Sequence, residues 1–152
     1  ACLVTTLAKA RELELPPLLR VISWGTKGVN PIVMGIGPCD AVEEALAKPK
    51  TKRAEGLTVD RIDVIEIHEA FASQVLSVCK ESGKKYGHPW PLERVNPYGG
   101  SLAFTHPLGA TNIRQIADIH SRFDEDPSPP YGLATGCAGG GQGLAVVFER
   151  FS

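Results

Sequence analysis

A glycine-dense stretch over residues 131–148 constrains the fold of this chain more than any other feature. Its two apolar runs, Tyr131–Thr135 and Leu144–Phe148, are rich in residues typical of strands that are buried on at least one face. Five glycines stand between these runs, where they permit positive φ angles and a close approach of backbone or ligand: Gly136, Gly139, Gly140, Gly141 and Gly143. The stretch therefore predicts a hairpin with Cys137 at the edge of its turn.

Cys137 admits two interpretations at this point. A thiol at a strand end, beside exposed backbone N–H groups, suits acyl transfer or proton transfer. The alternative is an ordinary hairpin loop that contains a buried and unreactive cysteine. Taken by itself, the stretch favours the unreactive cysteine, so the choice depends on what the rest of the chain supplies.

The composition is typical of one soluble globular domain. The sequence has 152 residues, 43% of them hydrophobic and 22% charged, which is enough for a substantial core. A net charge of −1 gives no reason to expect binding to nucleic acid or to an anionic membrane, and no apolar run is long enough to span a membrane. Because the chain begins at Ala1 inside an apolar stretch, we expect the polypeptide to extend upstream.

The four cysteines are widely spaced and form no C-x-x-C pair, which favours free thiols over a disulfide framework: Cys2, Cys39, Cys79 and Cys137. We therefore expect a reducing compartment, either the cytoplasm or the matrix of a mitochondrion or peroxisome. The histidines and cysteines do not show metal-ligand spacing, so a zinc site is not predicted. The glycines after Cys137 lead into a strand rather than a helix, which argues against a dinucleotide-binding fingerprint.

Apolar periodicity predicts alternating strands and helices along most of the chain. Residues 1–6 are expected to be the end of a strand, and further strands are expected at Leu18–Trp24, Val64–Ile67, Tyr131–Thr135 and Leu144–Phe148. Helices are expected at Leu7–Leu15, Asp40–Ala47, a segment with Phe71, Val75 and Val78 on one face, and Leu108–Phe123 with Ile113, Ile116, Ala117 and His120 facing inward. Residues 25–31, 48–56, 83–100 and 124–130 are expected to be loops. This order indicates an α/β layered domain with a mixed sheet.

His68 follows the predicted strand Val64–Ile67 in the segment H-E-A-F. Ligand sites in open α/β sheets lie beyond the carboxyl ends of the strands, so a histidine there is able to hold a water or a carbonyl oxygen. A solvent-facing histidine at the start of a helix is an equally good interpretation of the local pattern.

His106 lies in the segment G-G-S-L-A-F-T-H-P-L-G-A-T, which covers residues 99–111. Pro107 suits the first position of a helix, which makes His106 the expected N-cap. The partial positive charge of a helix start disfavours imidazolium, and a neutral His106 is able to accept a thiol proton or donate to an oxyanion. The competing interpretation is that Thr105 or His106 only caps the helix.

Taken together and in this order, four motifs resemble the C-terminal half of a thiolase over nearly the whole chain: M-G-I-G-P, H-E-A-F, G-G-S-L-A-F-T-H-P-L-G-A-T and C-A-G-G-G-Q-G. Histidine in H-E-A-F, where many thiolases have asparagine, is similar to the trifunctional-type branch that acts in fatty-acid β-oxidation. The resemblance implies a thiolase-type layered domain with helices on both faces of a mixed sheet. It divides the chain into residues 1–17, the end of a preceding N-terminal domain, and residues 18–152, the C-terminal domain.

The resemblance also implies a function and a set of site residues. The reaction is acyl transfer between acyl-CoA and CoA or acetyl-CoA, with CoA as a substrate and no cofactor. His106 is expected to activate a nucleophilic cysteine of the N-terminal half, and Cys137 to act as the acid/base at the α-carbon. His68 is expected to order a water, and the N–H of Gly139 to contribute to an oxyanion hole. Met34, Ala70 and Phe71 are expected to line the acyl and pantetheine pocket.

The sequence departs from the family pattern at two positions and leaves two further interpretations open. Thr105 and Asn112 stand where the family usually has glycine, which puts the substrate size in doubt. No cysteine in this chain matches the nucleophile, so we expect the N-terminal half as a partner, and a homo-oligomer. The alternatives are a non-catalytic thiolase-like domain that binds acyl-CoA or lipid, or that only assembles with a partner, and an unrelated α/β domain.

Overall fold

A four-stranded mixed sheet forms the centre of the domain in the computed structural model, which describes residues 1–128 and 130–151. The strands, in chain order, are β1 (Leu19–Gly28), β2 (Val64–Ile67), β3 (Tyr131–Ala138) and β4 (Gln142–Arg150). Their order across the sheet is β1-β4-β3-β2. Strand β4 pairs antiparallel with both β1 and β3, whereas β2 pairs parallel with β3. The predicted mixed sheet is confirmed.

Within the described residues, five helices accompany the sheet: α1 (Leu7–Glu12), α2 (Gly37–Ala47), α3 (Ala72–Tyr86), α4 (Ser101–Phe104) and α5 (Thr111–Glu125). Short 3₁₀ turns at Pro31–Ile36, Lys52–Ala54, Val59–Arg61 and Leu92–Arg94 interrupt the connecting segments. A crossover that contains α3, α4 and α5 separates the parallel strands β2 and β3, as parallel pairing requires.

Two apolar clusters cover the opposite faces of the sheet. Ile65, Leu133 and Val147 point to the side that packs with buried residues of α2 and α3. Their strand neighbours Val64, Ala134 and Phe148 point the other way, toward Ile119 and Phe123 of α5. Because successive side chains of a strand alternate between faces, this arrangement requires helices on both sides of the sheet. The layered fold with helices on both faces is therefore as expected.

The predicted hairpin is present, and its strands are longer than expected. Pairing runs from Tyr131 opposite Glu149 to Ala138 opposite Gln142, which leaves residues 139–141 as the turn. Gly141 has a φ of 84°, and a Cβ there would lie 2.2 Å from the carbonyl oxygen of Val29. Only glycine fits this contact, which joins the turn to the end of β1 through a hydrogen bond from the N–H of Val29 to the carbonyl of Gly141 at 2.7 Å.

Three predictions for the first part of the chain differ from the structure. Residues 1–6 are not a strand; Thr6 caps α1 by accepting a hydrogen bond from the N–H of Lys9 at 3.2 Å. Helix α1 ends at Glu12, three residues before its predicted end at Leu15. Strand β1 continues through residues 25–28, which were expected to be a loop, because each of them pairs with a residue of β4.

The largest correction concerns the start and the buried face of α5. The helix begins at Thr111 with Ala110 as its N-cap, so His106 is not a helix cap. Residues 107–110 form a separate turn, closed by a hydrogen bond from the N–H of Ala110 to the carbonyl of Pro107 at 3.0 Å, and Gly109 in it has a φ of 80°. The buried face consists of residues four apart, Thr111, Gln115, Ile119 and Phe123, rather than the predicted stripe of Ile113, Ile116, Ala117 and His120. Because two residues of the buried face, Thr111 and Gln115, are polar, apolar periodicity did not predict this face.

Candidate active site

A cavity of about 940 Å³ lies where the parallel strands β2 and β3 end. The carboxyl ends of parallel strands meet at one edge of a sheet, which is the usual place for a ligand site in this class of fold. We call this space the central cavity. Its walls come from the ends of β1, β2, β3 and β4 and from α4 and the loop that follows it, and include Thr26, Lys27, Leu102, Leu108 and Asn112.

Six of the seven predicted site residues line the central cavity: His68, His106, Cys137, Gly139, Met34 and Ala70. The seventh, Phe71, is not among the lining residues; its side chain is 58% exposed at the start of α3. Its expected place on the buried face of that helix is therefore wrong, because the apolar face begins with Val75. The roles assigned to all seven residues remain predictions.

The two histidine rings lie side by side in the cavity. Their centroids are 4.0 Å apart and the ring planes are inclined by 33°. Nδ1 of His68 is 2.9 Å from Oγ of Ser101, and Nδ1 of His106 is 2.6 Å from Oγ1 of Thr111. Because each Nδ1 already contacts a hydroxyl, the Nε2 atom of each ring is the one left for a ligand.

His68 is held at its position by the backbone of the sheet. Its N–H donates to the carbonyl of Thr135 at 2.8 Å, which extends the pairing of β2 with β3 by one residue. A Cβ at Gly136 would lie 3.0 Å from the Cβ of His68, so the next strand leaves just enough space for the histidine. Burial, assisted by the nearby His106, lowers the pKa of His68, and the ring is therefore neutral at neutral pH.

Cys137 lies near the end of β3 opposite Gly143 and is half-buried. Burial raises the pKa of its thiol above the ordinary value, with a smaller opposing effect of a backbone hydrogen bond. The sulfur is therefore protonated at neutral pH, which suits a group that delivers a proton to a carbanion. The other buried thiols, Cys39 and Cys79, are not among the residues that line the central cavity.

The hydrogen-bonded side chains of Asn96 and Glu69 connect the end of β2 to helix α4, and we call this pair the polar bracket. The side chain of Asn96 pairs with both backbone groups of Ile67, accepting from its N–H at 2.7 Å and donating to its carbonyl at 2.8 Å. Asn96 also donates to Glu69, whose second carboxylate oxygen accepts from the N–H of Leu102 at 2.9 Å. A Cβ at Gly100 would lie 2.1 Å from the carboxyl carbon of Glu69, so only glycine fits there.

Sequence reasoning did not find this bracket or the two hydroxyls on the histidines. Asn96 falls in a segment expected to be an irregular loop, and Ser101 begins a helix of only four residues, which is too short to show periodicity. The sequence does contain polar and glycine residues between His68 and His106, but such residues do not by themselves indicate which side chains form hydrogen bonds.

The two departures from the family pattern lie at or beside the cavity. Asn112 lines it, near the start of α5. Thr105 immediately precedes His106 and has a φ of 77° and a ψ of 176°, a backbone conformation that essentially only glycine adopts.

Residues 1–128 and 130–151 contain neither a metal-binding cluster nor a membrane-spanning helix. Within these ranges, no group of three or more histidine, cysteine, aspartate or glutamate side chains is arranged to hold a metal ion. No helix in this part of the chain is long and apolar enough to cross a membrane.

The family model described as "Thiolase, C-terminal domain" matches residues 15–150. The chain belongs to the thiolase family. It is 41% identical to an acetyl-CoA acetyltransferase of Pseudomonas aeruginosa and 42% identical to the peroxisomal 3-ketoacyl-CoA thiolase B of Rattus norvegicus, over 99% and 98% of its own length. It spans only 35% and 32% of those relatives, about a third of their length.

Solved thiolase structures share the fold of this chain. The crystal structure of human mitochondrial 3-ketoacyl-CoA thiolase superposes with a TM-score of 0.81 at 29% identity, over 97% of this chain and 34% of that one. The structure of the same human enzyme in complex with CoA also gives a TM-score of 0.81, at 31% identity over 96% of this chain and 34% of that one.

Proposed function

We propose that residues 18–152 are the C-terminal catalytic domain of a thiolase that transfers an acyl group between acyl-CoA and CoA or acetyl-CoA. The observation that carries this proposal is the placement of His68, His106 and Cys137 around one cavity. A domain that only bound acyl-CoA would need neither two imidazoles nor a thiol at the same cavity. The CoA complex of the human relative supports CoA as the substrate.

In the direction of thiolysis, a cysteine thiolate of the N-terminal half attacks the C3 carbonyl of a 3-ketoacyl-CoA. The C2–C3 bond then breaks, the acyl group stays on the cysteine, and the electron pair moves to C2 as the enolate of acetyl-CoA. Cys137 gives its proton to C2, and the high pKa of this thiol suits that step. The thiol of a second CoA then gives its proton to Cys137, and its sulfur takes the acyl group from the cysteine, which leaves as the thiolate and completes the cycle.

His106 activates the nucleophilic cysteine and, together with a water that His68 orders, serves an oxygen on which charge develops. Both rings line the cavity with Nε2 available, and donors fixed in advance stabilise such charge more than mobile water does. The N–H of Gly139, in the hairpin turn, is a third donor at the same cavity. Met34 and Ala70 contribute apolar surface for the acyl chain or the pantetheine arm. Relatives from a peroxisome and from bacteria fit the expected reducing compartment.

Cys137→Ala in the full-length polypeptide tests this proposal. Deuterium exchange at the α-carbon of acetyl-CoA should fall by about 10²–10⁴-fold, because the acid/base is lost. Acyl transfer to the nucleophilic cysteine should largely survive, which trapping of the acyl-enzyme measures. Cys2→Ala removes an exposed thiol and is the control that should exchange normally. Exchange at the wild-type rate in Cys137→Ala contradicts the proposal, and CoA binding without any acyl transfer supports the non-catalytic alternative instead.

A further inference from the structure

The hydroxyl of Ser101 contacts the ring of His68 at Nδ1, and both residues line the central cavity. Ser101 is the first residue of α4 and is 6% exposed, and its Oγ lies 2.9 Å from Nδ1 of His68. Among the described residues, this is the one hydrogen bond that its hydroxyl makes. The role assigned to His68 by the family resemblance does not involve this serine.

The direction of the hydrogen bond follows from the need to satisfy both groups. If Nδ1 carried the proton and donated to Oγ, the proton of the hydroxyl would be buried without an acceptor among the described residues. If the hydroxyl donates to Nδ1, both groups are satisfied and the ring proton is on Nε2. Burying an unpaired polar hydrogen is unfavourable, so the second arrangement is favoured.

The choice of tautomer matters because His68 is neutral. Burial and the neighbouring His106 lower the pKa of this ring, as does Arg114, while Glu69 raises it. A neutral imidazole has one N–H, and the hydrogen bond at one nitrogen decides which nitrogen carries it. Nε2 therefore donates into the cavity only while Nδ1 accepts.

Ser101 is itself held firmly. Its neighbours Gly100 and Leu102 are clamped by the carboxylate of Glu69, which contacts Gly100 closely and accepts from the N–H of Leu102. Glu69 is in turn bonded to Asn96, which is paired with the backbone of β2. The hydroxyl and the imidazole therefore belong to two elements that are locked together, and their distance is fixed before any ligand enters.

We propose that Ser101 is a positioning residue that holds His68 in the Nε2–H tautomer, so that this ring presents a hydrogen-bond donor to an acyl or thioester oxygen in the central cavity. This inference rests on the proposed function for its consequence in catalysis, but the tautomer itself is independent of turnover. Replacement of Ser101 by a residue without a hydroxyl leaves Nδ1 free to take the proton. The donor in the cavity then becomes an acceptor in part of the molecules.

The test is a long-range ¹H–¹⁵N correlation spectrum of the full-length polypeptide labelled at histidine. The signal of His68 is assigned as the one that disappears in His68→Asn. Wild-type protein should show a proton on Nε2, Ser101→Ala should show a mixture of tautomers or the Nδ1–H form, and Ser101→Thr, which retains a hydroxyl, should keep the wild-type pattern. Ser121→Ala removes an exposed hydroxyl on α5 and serves as the matched control.

The second part of the test measures the kinetics of acyl transfer for the same variants. We expect kcat of Ser101→Ala to fall on the order of tenfold with KM little changed, which is less than the hundredfold or greater loss on deleting a whole oxyanion donor. A wild-type His68 with its proton on Nδ1, or an unchanged spectrum in Ser101→Ala, overturns the inference. The wild-type spectrum decides even if Ser101→Ala fails to fold. The Nε2–H form in a protein without acyl transfer overturns the proposed function and leaves the inference standing.

Discussion

Thr105 has a strained backbone conformation next to the candidate active site. Its backbone lies in a region that a β-branched side chain strongly disfavours, directly before His106 and directly after α4. Glycine, which the family resemblance leads us to expect at this position, would adopt the conformation of Thr105 without strain. The hydrogen bonds of Glu69 and Asn96 hold α4 in place, so Thr105, which connects α4 to His106, is held in its strained backbone conformation.

Thr105→Gly should stabilise the folded protein by about 1–3 kcal/mol, because glycine adopts this conformation without strain. Part of this gain is offset by the greater conformational freedom that glycine gives the unfolded chain. Chemical denaturation of the wild-type and variant polypeptides measures the difference in the free energy of unfolding. Thr105→Ala is the matched control, since it keeps the Cβ that causes the strain. Equal stability of the wild-type protein and Thr105→Gly would show that the backbone here is relaxed.

At the scale of elements, the interface of α5 with strands β2 and β3 combines apolar packing with a buried acid. A Cβ at Gly132 would lie 2.6 Å from Cγ2 of Ile119, so the helix packs directly onto the strands. In the same interface Glu66 is completely buried, and neither of its carboxylate oxygens has a hydrogen-bond partner among the described residues. The nearest cation, Arg114, lies 4.0 Å away and also pairs with Asp118.

This interface predicts a pH dependence of stability. Burial, and next the negative charge of Asp118, raise the pKa of Glu66 from 4.5 to about 8, with smaller opposing effects of Arg114 and Arg122 and a small contribution from Glu69. At pH values between 4.5 and about 8, Glu66 is protonated in the folded state and ionised in the unfolded state. Stability should therefore fall as pH rises from 4.5 to 8, by up to roughly 1.4 kcal/mol per pH unit.

Glu66→Gln should remove this slope, because the amide has no proton to lose, and it should stabilise the protein most at pH values near the upper end of that range. Denaturant unfolding of the wild-type and variant polypeptides at several pH values measures the effect. Glu55→Gln, at an exposed position, is the control that should keep the wild-type slope. A slope that is the same in wild type and Glu66→Gln would mean that Glu66 is ionised in the folded state.

At the scale of the whole molecule, apolar side chains surround the mouth of the central cavity. Leu102, Phe104 and Leu108 are all exposed, Leu108 to 88%, and Leu102 and Leu108 also line the cavity. Exposed apolar side chains beside a ligand cavity are typical of a surface that contacts another protein. We propose that the N-terminal thiolase half covers this mouth in the full-length polypeptide.

A polypeptide limited to residues 1–152 should therefore self-associate when expressed alone. Light scattering coupled to size-exclusion chromatography should give a mass above that of one chain, and Leu108→Ser should reduce the association. Leu13→Ser changes an exposed leucine at the end of α1 and serves as the control. A monodisperse monomer at high concentration would count against a covered cavity mouth.

The strands, the hairpin and most helices were predictable because their information is local. Alternating or continuous apolar runs such as Val64–Ile67 and Leu144–Phe148 are buried wherever they pack, and glycine at the hairpin turn follows from backbone geometry. The family motifs by themselves also selected six of the residues that line the central cavity. Their chemical types, two imidazoles and a thiol, already pointed to acyl and proton transfer.

Only the tertiary structure decided how these groups are held. The buried face of α5 contains Thr111 and Gln115, which are buried because His106 and the carbonyl of Thr135 meet them, and no pattern of apolar residues reveals such partners. The start of that helix depends on the turn at Gly109. The orientation of His68 depends on Ser101, which lies 33 residues away in the sequence. Local sequence determines which elements form, whereas contacts between distant residues determine where a proton lies, because hydrogen-bond partners are selected by the packing of whole elements.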